Sequence, residues 1–307
     1  MGTQGGHVTV SEFRSGFVTL VGRPNVGKST LVNRIVGRKV SIVSDRPQTT
    51  RTQVRGVRTT EAAQLVVLDT PGIHRPRTLL GERTNESALT TLREVDVVCF
   101  MIEANAAIGP GDRYVAERLN AVETPVVLAV NKIDAATHEA VGEHLAVASR
   151  ELGDFAAYVP ISARAGTGVE TLVGELEARL APGPHYYPEG VVTDQPEGFL
   201  AAELVREQLL KVAREELPHS IAVTTEEMED RETADGPLLA LHVVVRVERE
   251  SQKGIVIGRG GAVLKRAGTD ARHELEALLG TRVHLDLRVK VDPDWQRKPG
   301  ALDRLGF

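Results

Sequence analysis

A glycine-rich stretch near the N-terminus, Gly22–Ser29 with the sequence GRPNVGKS, constrains the fold of this chain more than any other feature. It matches the pattern G-x-x-x-x-G-K-[ST], which works only between a buried strand and the N-terminus of a helix. The apolar run Phe17–Gly22 and the helical pattern of Lys28–Val36 supply these two flanks. We therefore predict a strand, a phosphate-binding loop and a helix in that order, because free amides at a helix N-terminus attract anions.

Short apolar runs alternate with helical patterns over residues 17–180. The runs lack polar alternation, which indicates strands buried on both faces, and helical connections favour parallel pairing. We therefore predict an α/β domain with a mostly parallel sheet. The further predicted strands are Gln64–Asp69, Val95–Ile102, Val126–Asn131 and Tyr158–Ser162, and the further predicted helices are Glu82–Arg93, Asp112–Asn120, Ala135–Leu152 and Val169–Leu180.

The composition excludes several classes of protein. Hydrophobic residues make up 41% of the 307 residues and charged residues 26%, which excludes wholesale disorder. A single cysteine, Cys99, excludes a disulfide framework and a cysteine-rich zinc site. The polar N-terminus does not resemble a signal peptide, and no apolar run approaches the roughly 18 residues of a membrane span. We expect a cytoplasmic protein with two domains, since a domain has roughly 100–200 residues.

Residues 181–198 separate two regions of different pattern. They contain four prolines, which remove amide donors and disfavour helix in the preceding residue. The order helix, strand, strand, helix, helix, strand then predicts a small α+β domain. Its main predicted elements are Phe199–Glu216, Ser220–Glu226, Leu238–Glu248, Ala262–Leu279 and Arg282–Val291. We predict a flexible N-terminus at 1–14, a first domain at 15–182, a linker at 183–198 and a second domain with a C-terminal tail at 199–307.

The phosphate loop divides its chemistry among its residues. Its glycines let backbone amides turn toward a phosphate, Lys28 bridges β- and γ-phosphates, and the Ser29 hydroxyl is a ligand for Mg²⁺. The predicted nucleotide contacts here are Gly22, Arg23, Pro24, Asn25, Val26, Gly27, Lys28, Ser29 and Thr30.

A second motif, Asp69-Thr70-Pro71-Gly72, follows the next buried strand along the chain. A carboxylate at a strand end is placed to hold Mg²⁺, and the Gly72 amide to meet the γ-phosphate.

The polar segment 40–58 lies between the two motifs. A threonine hydroxyl there would complete the Mg²⁺ site only with a γ-phosphate present, so the segment would order with GTP. Of Thr49 and Thr50, we favour Thr50.

A third motif, Asn131-Lys132-Ile133-Asp134, selects the base. Guanine presents two adjacent donors that one ionised carboxylate accepts together, and adenine has no such pair. Asp134 is therefore the predicted guanine reader, with the Lys132 stem over the base and Asn131 joining neighbouring loops. Ser162-Ala163, at the next strand end, can offer amides to guanine O6. The predicted ligand is GTP or GDP, with Lys28, Thr50 and Gly72 as catalytic candidates and Ser29, Thr50 and Asp69 as metal ligands.

These motifs together resemble those of translation-factor-class GTPases. The sequence segments GRPNVGKST, QTTR and DTPG resemble those of the bacterial Era GTPases. The stretch Gly254–Arg266 resembles the G-x-x-G loop of a KH RNA-binding domain of type II. The resemblance covers residues 15–307. It implies an α/β P-loop GTPase domain, with a mixed, mostly parallel sheet and helices on both faces, followed by a smaller α+β KH domain. It also implies GTP hydrolysis with Mg²⁺, and binding of 16S rRNA near its 3′ end during assembly of the 30S ribosomal subunit.

In such a KH loop, small residues let an RNA backbone approach while cations meet its phosphates. The resemblance implies RNA contacts at Lys253, Gly258, Arg259, Gly260, Gly261, Lys265 and Arg266. Residues 183–307 nevertheless carry 17 basic and 22 acidic side chains. We therefore expect a narrow groove for single-stranded RNA rather than a broad face for duplex RNA. The family also implies peripheral association with the inner face of the cell membrane, and we expect a monomer.

One position departs from the pattern of small regulatory GTPases. Ile73 stands where these proteins often have a glutamine that orients the attacking water, so we expect slow intrinsic hydrolysis. Asn25 resembles the asparagine of potassium-dependent GTPases, which makes K⁺ a candidate cofactor. His74 as a general base is the less favoured alternative.

Other readings of the sequence stay open. The main alternative is an RNA-binding assembly factor that uses GTP mainly as a structural ligand. A nucleotide kinase is disfavoured by the guanine motif. Cys99 lies inside an apolar strand and is expected to be buried. Trp295, near the C-terminal end, is expected either to contact RNA or to cap the second domain.

Overall fold

The computed structural model describes residues 12–46, 49–73, 76, 78–212 and 217–307. Two β-sheets organise these residues. The strands are β1 Arg14–Val21, β2 Val54–Thr59, β3 Ala63–Asp69, β4 Val97–Glu103, β5 Val126–Asn131, β6 Ala157–Pro160, β7 Ala222–Thr233, β8 Gly236–Val247 and β9 Arg282–Val291. The α-helices are α1 Lys28–Val36, α2 Leu79–Thr91, α3 Pro110–Leu119, α4 His138–Glu151, α5 Val169–Glu177, α6 Glu197–Val212, α7 Leu217–Ser220, α8 Glu250–Ile257, α9 Ala262–Leu279 and α10 Pro299–Arg304.

The first sheet has six strands in the order β2-β3-β1-β4-β5-β6. Its neighbouring strands are parallel except β2, which pairs antiparallel with β3. The predicted mixed, mostly parallel sheet is therefore confirmed. The strand β2 begins inside segment 40–58, which the sequence predicts only as a polar segment, and ends at Thr59. Val54 and Val57 are buried on opposite faces of this edge strand, because residues three apart in a strand point to opposite sides, while the charged Arg55 is exposed and Arg58 is half-buried.

Helices cover both faces of this sheet. The α1 and α5 helices pack over one apolar face, and α2, α3 and α4 pack over the other. Cys99 in β4 is fully buried, and burial raises the pKa of its thiol to about 12. Its predicted place in the core is confirmed, and no thiolate forms at neutral pH.

The parallel strands end at one edge of the sheet, and the four predicted motifs follow these ends. The phosphate loop follows β1, Asp69 ends β3, Asn131 ends β5, and Ser162 follows β6. Open α/β sheets bind ligands at this edge because the loops after parallel strands meet there.

The second sheet has three strands in the order β7-β8-β9, with β7 antiparallel and β9 parallel to β8. The predicted order of helices and strands is confirmed. Helices α6, α8 and α9 bury an apolar core against this sheet. Strand β7 is longer than predicted because Gly236, with a φ of +99°, closes a tight turn that extends its pairing with β8.

Residues 183–198 run along the first sheet rather than away from it. The Gln64 side-chain oxygen accepts hydrogen bonds from the amides of Tyr186 (2.7 Å) and Tyr187 (2.9 Å). The Val57 amide donates to the Val192 carbonyl at 2.8 Å. This segment is therefore fastened to the edge next to β2. The domain boundaries drawn from the sequence stay predictions.

Candidate functional site

A cavity of about 730 Å³ opens at the carboxyl edge of the first sheet. Loops after β1, β3, β5 and β6 form it together with the segment before β2. Twelve predicted site residues line it: Pro24, Asn25, Gly27, Lys28, Ser29, Thr30, Thr50, Gly72, Asn131, Lys132, Asp134 and Ala163. The other predicted nucleotide residues, Gly22, Arg23, Val26, Asp69, Thr70, Pro71 and Ser162, adjoin this lining in the same loops.

Asn131 joins three of these loops. Its Nδ2 donates to the Val26 carbonyl at 2.8 Å, and its Oδ1 accepts from the Ala163 amide at 2.9 Å. A Cβ atom on Gly27, whose φ is +104°, would lie 2.4 Å from Asn131 Nδ2. The last glycine of the phosphate loop is therefore required both for its left-handed backbone and for this close approach.

Lys28 is buried at the start of α1. Its Nζ donates to the carbonyls of Gly22 (3.1 Å) and Arg23 (3.2 Å). A Cβ built on Gly72 would lie 3.3 Å from this Nζ, so the second motif packs directly against the phosphate loop. Burial lowers the pKa of Lys28 to about 8, although the charge of Asp69 acts in the opposite direction.

Three oxygen-bearing side chains predicted as metal ligands lie together. The Ser29 and Thr50 hydroxyl oxygens are 3.0 Å apart, and Thr50 Oγ1 donates to Asp69 Oδ2 at 3.2 Å. Asp69 is fully buried, and within the described residues its Oδ1 has no hydrogen-bond partner. A buried carboxylate oxygen without a donor, beside two hydroxyls, suits Mg²⁺, which prefers oxygen ligands. The hydroxyl of Thr49 turns away and donates to the Arg46 carbonyl at 2.7 Å.

Ser41 contacts this cluster and was not found from the sequence. Its Oγ donates to Asp69 Oδ2 at 2.5 Å. Asn33 on α1 in turn holds the Ser41 backbone, accepting from its amide at 2.9 Å and donating to its carbonyl at 2.7 Å. Burial raises the pKa of Asp69 above its ordinary value, while the hydrogen bond from Ser41 lowers it. No sequence pattern marks Ser41, because only the fold brings it to the end of β3.

The base-reading loop is held by a second residue that sequence reasoning missed. Glu103, at the end of β4, forms an ion pair with Lys132 Nζ and another with Arg23 at 3.0 Å. It thereby connects the phosphate loop with the loop that follows β5. Lys132 has a φ of +67°, and Asp134 lies exposed at the cavity mouth. Glu103 could have been identified from the sequence, because it is a charged residue at the end of a buried strand.

Three further residues complete the account of the motifs. The Thr70 hydroxyl donates to the Leu20 carbonyl at 2.8 Å, and Ser162 Oγ accepts from the Ala165 amide at 3.0 Å. The Ile73 side chain is buried in the apolar core beneath α2. His74 and Gln48 lie outside the described residues.

A second cavity, of about 340 Å³, lies between α9 and β9, beside the glycine loop 258–261. Its floor includes Leu264, Leu285 and Leu287, and its polar lining includes Lys265 and Arg272. The sequence did not identify the β9 leucines as part of a binding groove, because any half-buried strand has the same alternating pattern. A Cβ atom on Gly268 would lie 2.9 Å from the Leu287 side chain. A larger residue here would push α9 away from β9, so the glycine allows the two elements to lie close together.

The glycine loop has an unusual backbone. Gly258, Gly260 and Gly261 have φ values of +74°, +61° and +79°. The cations Arg259, Lys265 and Arg266 are exposed around it, and Lys253 is half-buried. Arg266 Nε lies 3.7 Å from Asp270. The predicted RNA-contact residues therefore surround one end of the α9–β9 groove.

Trp295 is excluded from this groove. The indole is fully buried, donates from Nε1 to the Ser220 carbonyl at 3.0 Å and stacks on Phe307. Full burial contradicts the alternative of an RNA contact, and the expected cap of the second domain is only part of the packing, because the cluster around Trp295 also includes Leu80 of α2.

Comparison with known proteins matches both parts of the chain. A family model described as a 50S ribosome-binding GTPase matches residues 17–132, and a KH-domain model matches residues 216–296. GTPase Era of Mycobacterium sp. (strain KMS) and of Mycobacterium avium (strain 104) are each 52% identical to this chain over 300 residues, which is 97% of this chain and 100% of the relative.

Two solved structures share the fold of both domains. One is Era in complex with MgGDPNP and nucleotides 1506–1542 of 16S ribosomal RNA, and the other is an Aquifex aeolicus Era variant bound to GDP·AlF₄⁻. Each has a TM-score of 0.91 and 39% identity, and covers 96% of this chain and 99% of the solved chain. The chain therefore belongs to the Era family of GTPases, which bind and hydrolyse GTP and carry a C-terminal KH domain.

Proposed function

We propose that this GTPase is a nucleotide-controlled switch that binds the 3′ end of 16S rRNA and acts in maturation of the 30S ribosomal subunit. The observation that carries the proposal is one chain with a guanine-nucleotide pocket and a narrow, leucine-floored groove beside a basic glycine loop. Apolar floors and flanking cations suit the splayed bases and the phosphates of single-stranded RNA. The bound rRNA nucleotides 1506–1542 in the structure of a relative support the choice of RNA.

In the proposed hydrolysis, water attacks the γ-phosphorus, the bond to the β-phosphate oxygen breaks, and GDP and phosphate leave. Lys28 and the amides of the phosphate loop stabilise the charge on the phosphates, and the Gly72 amide binds the γ-phosphate. Asp134 reads guanine and the Lys132 stem covers the base. The amides of Ser162 and Ala163 donate to the Thr167 carbonyl and to Asn131 Oδ1, so in this structure they hold their loop rather than face guanine O6, contrary to the prediction. Ile73 is buried and apolar, so no side chain at this position orients the water.

Mg²⁺ is the proposed metal of this site. The Ser29 and Thr50 hydroxyls and the Asp69 carboxylate would hold it, with Thr50 contributing only when a γ-phosphate is present. When bound, the ion neutralises charge on the phosphates. The relative solved with MgGDPNP supports this assignment.

K⁺ is a second proposed cation, placed at Asn25. This residue has a φ of +65° and donates from Nδ2 to the Asp45 carbonyl at 2.7 Å, which fixes its side-chain oxygen beside the phosphate loop. We expect GTP turnover to be faster in KCl than in NaCl at equal ionic strength. Equal turnover in both salts would remove K⁺ from the mechanism.

The test of the switch is RNA binding in two nucleotide states. The full chain is loaded with GDP or with GDPNP and titrated with a fluorescent oligonucleotide of the 16S rRNA 3′ end and with a scrambled oligonucleotide. We expect tighter binding of the 3′-end sequence with GDPNP. Equal affinity in both states would contradict the switch, and equal affinity for both sequences would contradict the rRNA assignment.

The same samples address the ribosomal partner. We expect co-sedimentation with purified 30S particles and not with 50S particles, and a faster GTP turnover when 30S particles are added. Turnover that 30S particles leave unchanged would favour the alternative in which GTP is a structural ligand.

The remaining proposals concern location and assembly. We propose a monomer in the cytoplasm with peripheral association at the inner face of the cell membrane. No helix among the described residues is long and apolar enough to cross a membrane. Light scattering checks the monomer, and co-sedimentation with anionic vesicles checks the membrane association.

A further inference from the structure

The segment that carries Thr50 is fastened to the second domain on both sides of this threonine. On one side, the Arg206 guanidinium of α6 donates to the carbonyl of Thr49. On the other side, the Arg51 guanidinium donates to the carbonyls of Ile221 (2.5 Å) and Pro218 (3.0 Å). The two residues that flank the proposed metal ligand are thus held by groups more than 150 residues away in the chain.

Arg206 is itself locked in place. Its side chain is 3% exposed, and it forms a two-pronged pair with Glu203 one turn earlier on α6, with both N–O distances at 2.7 Å. Such a bidentate pair fixes the plane of the guanidinium, so the second N–H of its Nη2 has a defined direction. That donor reaches the Thr49 carbonyl, and the adjoining Thr50 hydroxyl then lies 3.0 Å from Ser29 Oγ.

The start of the same segment is anchored as well. The Ile42 side chain is 4% exposed and belongs to the apolar core of the second domain, not to that of the first. The Val43 amide donates to Glu207 Oε1 at 2.9 Å, and Lys39 forms ion pairs with Glu207 and Glu274. Lys39, Val43 and Thr49 of this segment therefore lie against α6 or α9.

We infer that the second domain helps to build the γ-phosphate-dependent half of the nucleotide site, with Arg206 as a positioning residue for Thr50. The inference rests on the proposed role of Thr50 in Mg²⁺ coordination. Arg206 does not touch the nucleotide pocket; it holds the backbone that presents the Thr50 hydroxyl. Discrimination between GTP and GDP is therefore shared between the two domains, because only GTP needs Thr50 in place.

The test compares affinities for GDPNP and GDP in excess Mg²⁺, using the full chain with Arg206→Met or Arg206→Lys. Arg231→Met is the matched control, because Arg231 lies exposed on β7 of the same domain and pairs only with Glu229 among the described contacts. We expect Arg206→Met to weaken GDPNP binding about tenfold and GDP binding less than about twofold, since one charge-assisted hydrogen bond is lost. Arg206→Lys should recover part of the GDPNP affinity.

A second measurement determines how nucleotide binding depends on the Mg²⁺ concentration. We expect the Mg²⁺ concentration that half-saturates GDPNP binding to rise in Arg206→Met, while the value for GDP stays at that of the unmodified chain. An unchanged ratio of GDPNP to GDP affinity, whether both are retained or both fall, would overturn the inference. If Arg206→Met does not fold, Glu203→Gln tests the same geometry and should shift the ratio in the same direction. If Mg²⁺ raises the affinity of the unmodified chain for GDPNP no more than its affinity for GDP, the role of Thr50 in Mg²⁺ coordination is overturned instead.

Discussion

At the scale of single residues, burial determines how the charged groups of the nucleotide pocket behave. Lys28 and Asp69 are both buried, and each is shifted toward its neutral form: the pKa of Lys28 falls and that of Asp69 rises. A bound polyphosphate with a cation restores the balance, because it supplies negative charge to the lysine and positive charge to the carboxylate. The pocket is therefore matched to a charged ligand rather than to water.

Nucleotide affinity is expected to depend on pH through Lys28. Its pKa of about 8 lies below the ordinary 10.5, so in the free protein the ammonium loses its proton as the pH rises through 8. Phosphates bind the protonated form, so GDP affinity should be level below pH 8 and fall by up to about tenfold per unit above it. Titrations from pH 7 to 9 measure this, with Lys28→Arg as the control that stays charged. A level profile for the unmodified chain would contradict the assignment.

The guanine assignment rests on Asp134. In Asp134→Asn the side chain offers one donor and one acceptor, and guanine needs two acceptors. We expect GDP affinity to fall at least about tenfold and xanthosine diphosphate to bind better than GDP. The control Asp154→Asn changes an exposed aspartate of the same domain and should leave both affinities unchanged. Unchanged GDP affinity in Asp134→Asn would refute the assignment.

At the scale of elements, α9 has two faces with different tasks. Gly268 and Lys265 face the groove toward β9, while Glu274, two turns further on, meets Lys39 of the first domain. The helix and its basic glycine loop were predictable from spacing and hydrophobic pattern. Its second partner was not, because a contact across 235 residues leaves no local signal.

Gly260 in the glycine loop allows a test of RNA binding that leaves the fold intact. Gly260 has a φ of +61°, which aspartate and asparagine tolerate, and a Cβ there would meet no atom within 4 Å. We expect Gly260→Asp to weaken rRNA binding at least about tenfold by repelling phosphates, and Gly260→Asn to weaken it far less. GDP affinity should stay unchanged in both. Equal RNA affinity of the two variants would contradict a phosphate contact at this loop.

Gly258 is the poorer position for such a test. A Cβ there would lie 2.4 Å from Val263 Cγ2, and its φ is +74°. Loss of RNA binding in Gly258→Asp would therefore combine charge repulsion with distortion of the loop. The sequence alone makes these glycines look equivalent.

At the scale of the whole molecule, Trp295 lies where the two domains meet. Its cluster contains Leu80 of α2 together with Ala222 and Leu302 of the second domain, and the Arg51 guanidinium lies over its ring. The only tryptophan of the chain thus contacts both the segment of Thr50 and the helix that follows Gly72. Its packing stabilises the docking of one domain on the other.

Removal of this side chain is expected to destabilise the chain strongly. Trp295→Ala should lower the free energy of unfolding by about 3–5 kcal/mol, as for other fully buried aromatic side chains. Met228→Ala is the control, because Met228 is 53% exposed on β7 and its loss should change stability by less than about 0.5 kcal/mol. Urea unfolding followed by circular dichroism measures both. A change below about 1 kcal/mol for Trp295→Ala would contradict the central packing role.

The strand-loop-helix start, the parallel sheet, the nucleotide motifs and the glycine loop could all be predicted from the sequence. Each of these depends on residue types at short, regular spacing, which local sterics and hydrogen bonding convert into one backbone geometry. The folded chain was needed to place Thr50, which the sequence favoured over Thr49, next to Ser29 and to show that Trp295 is buried. It also placed Ser41, Glu103 and Arg206 around the site. These outcomes depend on contacts between residues far apart in the chain, whose geometry exists only after both cores have formed and docked.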